Sequence, residues 1–250
     1  MRAVLEPTAH AEPTAPEDPV ELADLPVHPD RADAAADMGA EPEDDGYAPV
    51  VVSRDGVLRP VWADRTAAAR EYFDTEWGCP VTDERGLFEL VALLVFAGGL
   101  TWAGVLAKRD GLRVGLGGFD PDVVARFSDD DVAAALADAS MIRNERKIRA
   151  VVTNARAVVA LRESGGLVDL VWSAADDEND GAPIDLRSVP RADDRSAALA
   201  TALREAGFVH IGPIAAQALL LAAGVVPVER GQTPARPAPD AEGNGVQECF

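Results

Sequence analysis

The sequence predicts an all-α domain, and three observations predict it. Apolar residues recur at spacings of three and four through several long stretches. Glycines stand where those stretches end. No run of useful length combines β-branched residues with strict alternation. Seven or eight helices joined by mostly short loops are the economical architecture for such a pattern.

The elements follow in chain order. Residues 65–72 (RTAAAREY) read as a short helix, which the turn formers of DTEWGCPVTDERG interrupt. Asp83 is placed to cap the next helix, where Leu87, Phe88, Val91, Leu94 and Val95 recur at three and four. That helix is apolar on nearly every side, which puts it at the centre of a bundle. Gly98 and Gly99 interrupt it, and a further helix is expected from Thr101 to Gly111, before the glycines at 115, 117 and 118. Ser128, followed by three aspartates, reads as the N-cap of a short helix over SDDDVAAALAD. A long amphipathic helix follows over ERKIRAVVTNARAVVALRESGG, with Ile148, Val151, Val152, Ala155, Val158, Val159 and Leu161 on its apolar side. DRSAALATALREAGF, stopped by Gly207, and IGPIAAQALLLAAGVV, stopped by Gly224, complete the set. Residues 176–190 are the largest irregular insert, expected on the surface.

Composition divides the 250 residues. Residues 1–57 hold 14 acidic side chains against 3 arginines, in proline-rich runs without helical or strand period. Such a stretch buries too little apolar surface to offset its ordering entropy. Residues 1–56 are therefore expected as a flexible, disordered acidic segment, 57–230 as the helical domain and 231–250 as a flexible tail. The domain is long enough for a core that needs neither disulfides nor metal. Two cysteines, Cys79 and Cys249, indicate no disulfide framework. The opening MRAVLEPTAH has no apolar signal region, and the longest apolar stretch, residues 90–100, is too short to span a membrane. A cytoplasmic location is expected. The net charge of -20 disfavours attraction of nucleic acid to the whole surface, but screening within about 8–10 Å leaves a local basic patch effective.

Six phrases carry a family resemblance: REYFDTEWGCPVTDERGLFELV, AGGLTWAGVLAKRDGLR, FDPDVVA, MIRNERKIRAVVTNARA, LVDLVWS and ALREAGFVHIG. In order and spacing they resemble bacterial DNA-3-methyladenine glycosylase I, over about residues 59–226. The resemblance implies an all-helical glycosylase of the helix-hairpin-helix superfamily, which binds double-stranded DNA, flips out an alkylated adenine and cleaves its N-glycosidic bond. It places Tyr72 and Trp102 among the base-pocket aromatics, with Trp62 and Trp77 as further tryptophans near that pocket. It gives Gly99 and Leu100 the turn that fills the gap left by the extruded base. The hairpin falls at residues 139–147, so that Ser140, Arg143, Arg146, Lys147 and Arg149 are expected at the DNA backbone.

The chain departs from the family inside that frame. Where members generally read LEGxQAGLSW, this chain reads LLVFAGGLTW, so Leu94 takes the place of the glutamate that recognises the base, and Phe96 follows in the same wall. Leucine can neither accept a proton nor stabilise a cationic purine. Ser140 replaces the usual hairpin glycine, and Glu145 a usual basic residue. The family's zinc ligands fall on Pro60 and Phe73, with no counterpart in VVPVERGQTP, so no metal and no cofactor is expected. Gln217 and Leu221 occupy positions that are commonly tyrosine and glutamine. Asp74, Glu76 and Asp138 read as structural acids, and His210 as a packed or surface histidine. No catalytic acid or base is assigned. Two readings follow: an altered N-glycosylase that excises a bulky or unusually alkylated purine, or a noncatalytic helical module that binds DNA lesions or protein. No Ser-His-Asp set, Walker loop or dinucleotide fingerprint supports another enzyme class.

Overall fold

The structure, a computed structural model, describes residues 49–175 and 183–229. The expected acidic segment up to residue 48 and the tail from residue 230 lie outside the described residues. Ten α-helices stand among those described, in keeping with the all-α expectation.

The central element is α2 (Glu84–Ala97), capped by Asp83, whose side chain accepts the Gly86 N–H. It buries Leu87, Phe88, Leu90, Val91, Ala92, Leu93, Val95 and Phe96, so it is enclosed on nearly every side, as its composition requires. Around it pack α3 (Trp102–Leu106), α7 (Glu145–Leu161), α8 (Gly166–Trp172) and α10 (Pro213–Ala222). Each fully buried leucine or phenylalanine contributes about 1.5–3 kcal/mol. α1 (Ala67–Thr75) is capped by Thr66, whose side chain accepts the Ala69 N–H, so it begins and ends slightly later than the expected 65–72.

The helix expected from Thr101 to Gly111 is two helices, α3 and α4 (Arg109–Gly115). Gly111 does not end it. A Cβ at Gly111 would strike the Ser140 backbone, and one at Gly115 the Met141 side chain, so this face of α4 lies directly against the 138–144 turn that precedes α7. Close approach, rather than chain termination, accounts for these glycines. α5 (Pro121–Val124) follows, then α6 (Asp129–Ala137) with the expected Ser128 cap, closed into a capping box by Asp131. α9 (Asp194–Glu205) has a second capping box, Asp193 with Ser196, and packs on α10.

Four strands of two or three residues also stand among the described residues. β1 (Val50–Val52) pairs antiparallel with β2 (Leu58–Pro60), straddling the expected domain boundary at 57. Strands of three residues are too short for alternation to register. β2 brings in Arg59, only 3% exposed, whose guanidinium grips Asp74 of α1 at 2.9 and 2.7 Å and Asp55 at 2.8 Å. β3 (Ile184–Asp185) pairs parallel with β4 (Val228–Glu229). The irregular insert is only partly a surface feature: residues 176–182 lie outside the described residues, but Leu186 and Val189 are buried. Cys79 lies in the turn after α1, and Cys249 lies outside the described residues. No helix among the described residues is long and apolar enough to cross a membrane.

Candidate functional site

Five aromatic rings from four separate segments converge. Trp62 follows β2, Tyr72 and Phe73 sit on α1, Trp77 lies just past it, and Trp102 opens α3. Trp62 is the hub, with its centroid 6.2 Å from Tyr72, 5.8 Å from Phe73, 6.4 Å from Trp77 and 6.4 Å from Trp102. Tyr72 meets Trp102 edge-on at 5.8 Å, and Phe73 stacks on Trp77 at 5.0 Å. Offset and edge-on contacts of this kind are each worth about 0.5–1.5 kcal/mol beyond burial. Trp62 and Trp102 are half-buried, whereas Tyr72, Phe73 and Trp77 are buried, so the cluster has a lip and a floor.

The floor holds an unusual polar group. Tyr72 is 4% exposed, and its hydroxyl is buried without a hydrogen-bond partner. Burial pushes the phenol well above its ordinary range, despite the Arg109 guanidinium 5.6 Å above the ring. Arg109, from α4, is held by Glu89 at 2.7 Å and Glu76 at 2.8 Å, and Arg113 also reaches Glu89 at 2.7 Å. Asp74 is held by Arg59. Asp74, Glu76 and Glu89 are thus each bound to arginine; Asp74 and Glu76 were expected as structural acids, and Glu89 was not foreseen. Arg109 and Phe73 were not foreseen as members of this cluster.

Of the two remaining wall candidates, Leu94 is half-buried, but Phe96 is fully enclosed in the core and lines no accessible space. In α10, Gln217 is 1% exposed, with neither end of its amide hydrogen-bonded within the protein. The residues at the family's zinc positions do not fit a metal. Phe73 is a stacked ring, and Pro60 lies in β2 opposite Val50; neither has a donor.

After α2, Gly98 leads into Gly99, whose φ of +76° favours glycine, and Leu100 stands 47% exposed. Thr101 then caps α3 by accepting the Gly104 N–H. This turn meets the expected hairpin. Asn144 caps α7, accepting the Lys147 N–H at 3.1 Å, and the Lys147 ammonium donates to the carbonyls of Phe96 at 2.8 Å and Gly98 at 2.5 Å. Burial pushes that ammonium below the ordinary lysine range. Arg149 is engaged by Glu145 at 2.8 Å and Asp129 at 2.7 Å. The Ser140 N–H is taken by Asp138 Oδ1 at 2.8 Å, and that bond holds the Asp138 carboxyl below its usual range. The Lys147 ammonium and the Ser140 N–H are bound within the protein, Arg149 is paired with two acids at the surface, and Arg143, Arg146 and Arg149 are all exposed. Desolvation, then Arg146 and Lys147, press the nearby His210 below its ordinary value.

An aromatic enclosure beside a protruding apolar turn, in an all-helical frame, defines the class of base-excising glycosylases to which several solved structures belong. A crystal structure of 3-methyladenine DNA glycosylase I is 35% identical, with a TM-score of 0.61, covering 66% of this chain and 92% of that one. The 3-methyladenine DNA glycosylase I of Staphylococcus aureus is 25% identical with a TM-score of 0.62, covering 70% and 95%. The DNA-3-methyladenine glycosylase of Haemophilus influenzae is 35% identical over 171 residues, 66% of this chain and 90% of its own length. DNA-3-methyladenine glycosylase 1 of Escherichia coli is likewise 35% identical, over 167 residues. The family model for methyladenine glycosylase matches residues 62–232, and the chain belongs to that family.

Proposed function

We propose that this protein is a DNA N-glycosylase of the cytoplasm that extrudes an alkylated, bulky purine from double-stranded DNA and hydrolyses its N-glycosidic bond. The observation that carries this reading is the five-ring cluster with a buried, unpartnered hydroxyl at its floor. Base-flipping enzymes need aromatic faces for stacking and a polar group for the base edge. Trp62 and Trp102 at the lip supply the faces, and Tyr72 supplies one hydrogen bond. Leu94 leaves its part of the wall apolar, which suits an alkyl substituent larger than methyl. Asp74, Glu76 and Glu89 are each tied to arginine. The chemistry therefore leans on the leaving group. A cationic N-alkyl purine departs with its bonding electron pair as a neutral base, and water adds to the sugar carbon with loss of a proton.

On DNA, Leu100 fills the vacated place in the stack, with the flexible Gly99 beside it. Arg143 and Arg146, together with Ser140, meet the backbone through a helix-hairpin-helix formed by α6, the 138–144 turn and α7. Lys147 and Arg149 serve this surface by holding it in shape.

Base release is measured on duplexes carrying methylated and bulky N3- or N7-alkylated purines. The expected outcome is release of at least one alkylated purine, with Trp102→Ala lowering it about ten-fold or more through lost stacking. No release above background from any lesion overturns catalysis. The arginine-bound acids favour a second reading, a noncatalytic lesion-binding module, which is supported if lesion duplexes bind more tightly than undamaged ones without turnover.

A further inference from the structure

Lys147 joins two parts of the molecule that are about fifty residues apart in sequence. Its backbone N–H is fixed by Asn144 at the start of α7, and its ammonium reaches the carbonyls of Phe96 and Gly98 at the far end of α2. The last carbonyls of a helix have no intrahelical donor and lie at the negative end of its dipole, so a cation there is favoured twice over. Immediately beyond these carbonyls the chain turns through Gly99, where a Cβ would meet nothing within 4 Å, and exposes Leu100. An apolar side chain is thus held out to solvent on a glycine turn, and the bond from α7 sets the angle at which it leaves α2.

We propose that Lys147 is a positioning residue for base extrusion, clamping the 98–100 turn to the start of α7 so that Leu100 is presented at a fixed height when the 138–144 turn meets the DNA backbone. This rests on the glycosylase reading. Without the ammonium, two carbonyls lose their donor and the turn is free to pivot about Gly98 and Gly99. Leu100 then enters the base stack less often, although the basic residues that attract DNA are unchanged.

The full-length chain is compared as wild type, Lys147→Met, Lys147→Arg, Leu100→Ala and the Lys147→Met/Leu100→Ala double variant, with thermal unfolding confirming that each is folded. Two readouts are taken: amide hydrogen exchange of the peptide spanning 97–101 without DNA, and the fluorescence gain of a 2-aminopurine beside the lesion in a saturated alkylated duplex. Lys147→Met is expected to speed exchange of that peptide about ten-fold while peptides of α9 and α10 stay unchanged. It is expected to cut the fluorescence gain about five-fold, Lys147→Arg to restore part of it, and the double variant to fall no further than Leu100→Ala alone. Unchanged exchange in Lys147→Met overturns the clamp, as do losses that multiply in the double variant. Faster exchange in Lys147→Met with no fluorescence gain in the wild type overturns the role in extrusion together with the glycosylase reading, and leaves the clamp itself supported.

Discussion

Tyr72 carries a hydroxyl that works against the fold. A buried hydroxyl without a partner costs about 1–3 kcal/mol relative to one in water. Tyr72→Phe is therefore expected to raise stability by about 1 kcal/mol in urea unfolding while lowering base release, an opposition that marks a group kept for its ligand. A loss of stability would mean that the hydroxyl has a partner. Tyr72 and the tryptophans were legible in the sequence because aromatic residues in a recognisable phrase keep their place. The basic residues were less so. A cluster of Arg and Lys looks the same whether it faces a phosphate or the protein's own acids and carbonyls. Lys147 and Arg149 face Phe96, Gly98 and Asp129, which only the fold brings near, and Arg149 also meets Glu145 one turn back on its own helix.

Among the elements, α2 and α6 were readable from end to end because a side-chain cap and a glycine or a charge marks each boundary. α4 was not. Gly111 and Gly115 carry the same mark as helix terminators, yet they open one face of α4 to the 138–144 turn. The two differ in what they touch, and that gives a prediction. Gly111→Ala meets the Ser140 backbone and is expected to cost about 1–3 kcal/mol, whereas Gly115→Ala meets the flexible Met141 side chain and costs less. Thermal unfolding of the two variants compares them, and equal costs would count against this contact. The strands escaped detection for a different reason: each is only two or three residues long, and β3 finds its partner β4 far along the chain.

At the scale of the whole molecule, ion pairs tie distant helices and set an acid limit. Arg162 links Glu84 of α2 at 2.6 Å to Asp122 of α5 at 2.9 Å. Arg162 draws the Asp122 carboxyl down, the Ser128 N–H does the same for Asp131, and Arg59 holds Asp55 down to about 2. A carboxylate whose pKa is depressed by folding stabilises the fold above its unfolded value of about 3.9. That contribution is lost as pH falls through the folded value. Melting temperature is expected to drop with the protonation of these groups between about pH 4 and pH 2, and Asp122→Asn to flatten the drop. A steep loss already at pH 6 would point to another group.

One contact bears on how the protein is made. The Gly78 and Val81 N–H groups bond to the carbonyls of Ala222 and Ala223, and Gly224 sits against the backbone of residues 78–80. The loop just past Trp77 is therefore braced by α10, which is made long after α1 and α2. However early α1 and α2 form on the growing chain, the loop that carries Trp77 is not braced until α10 follows.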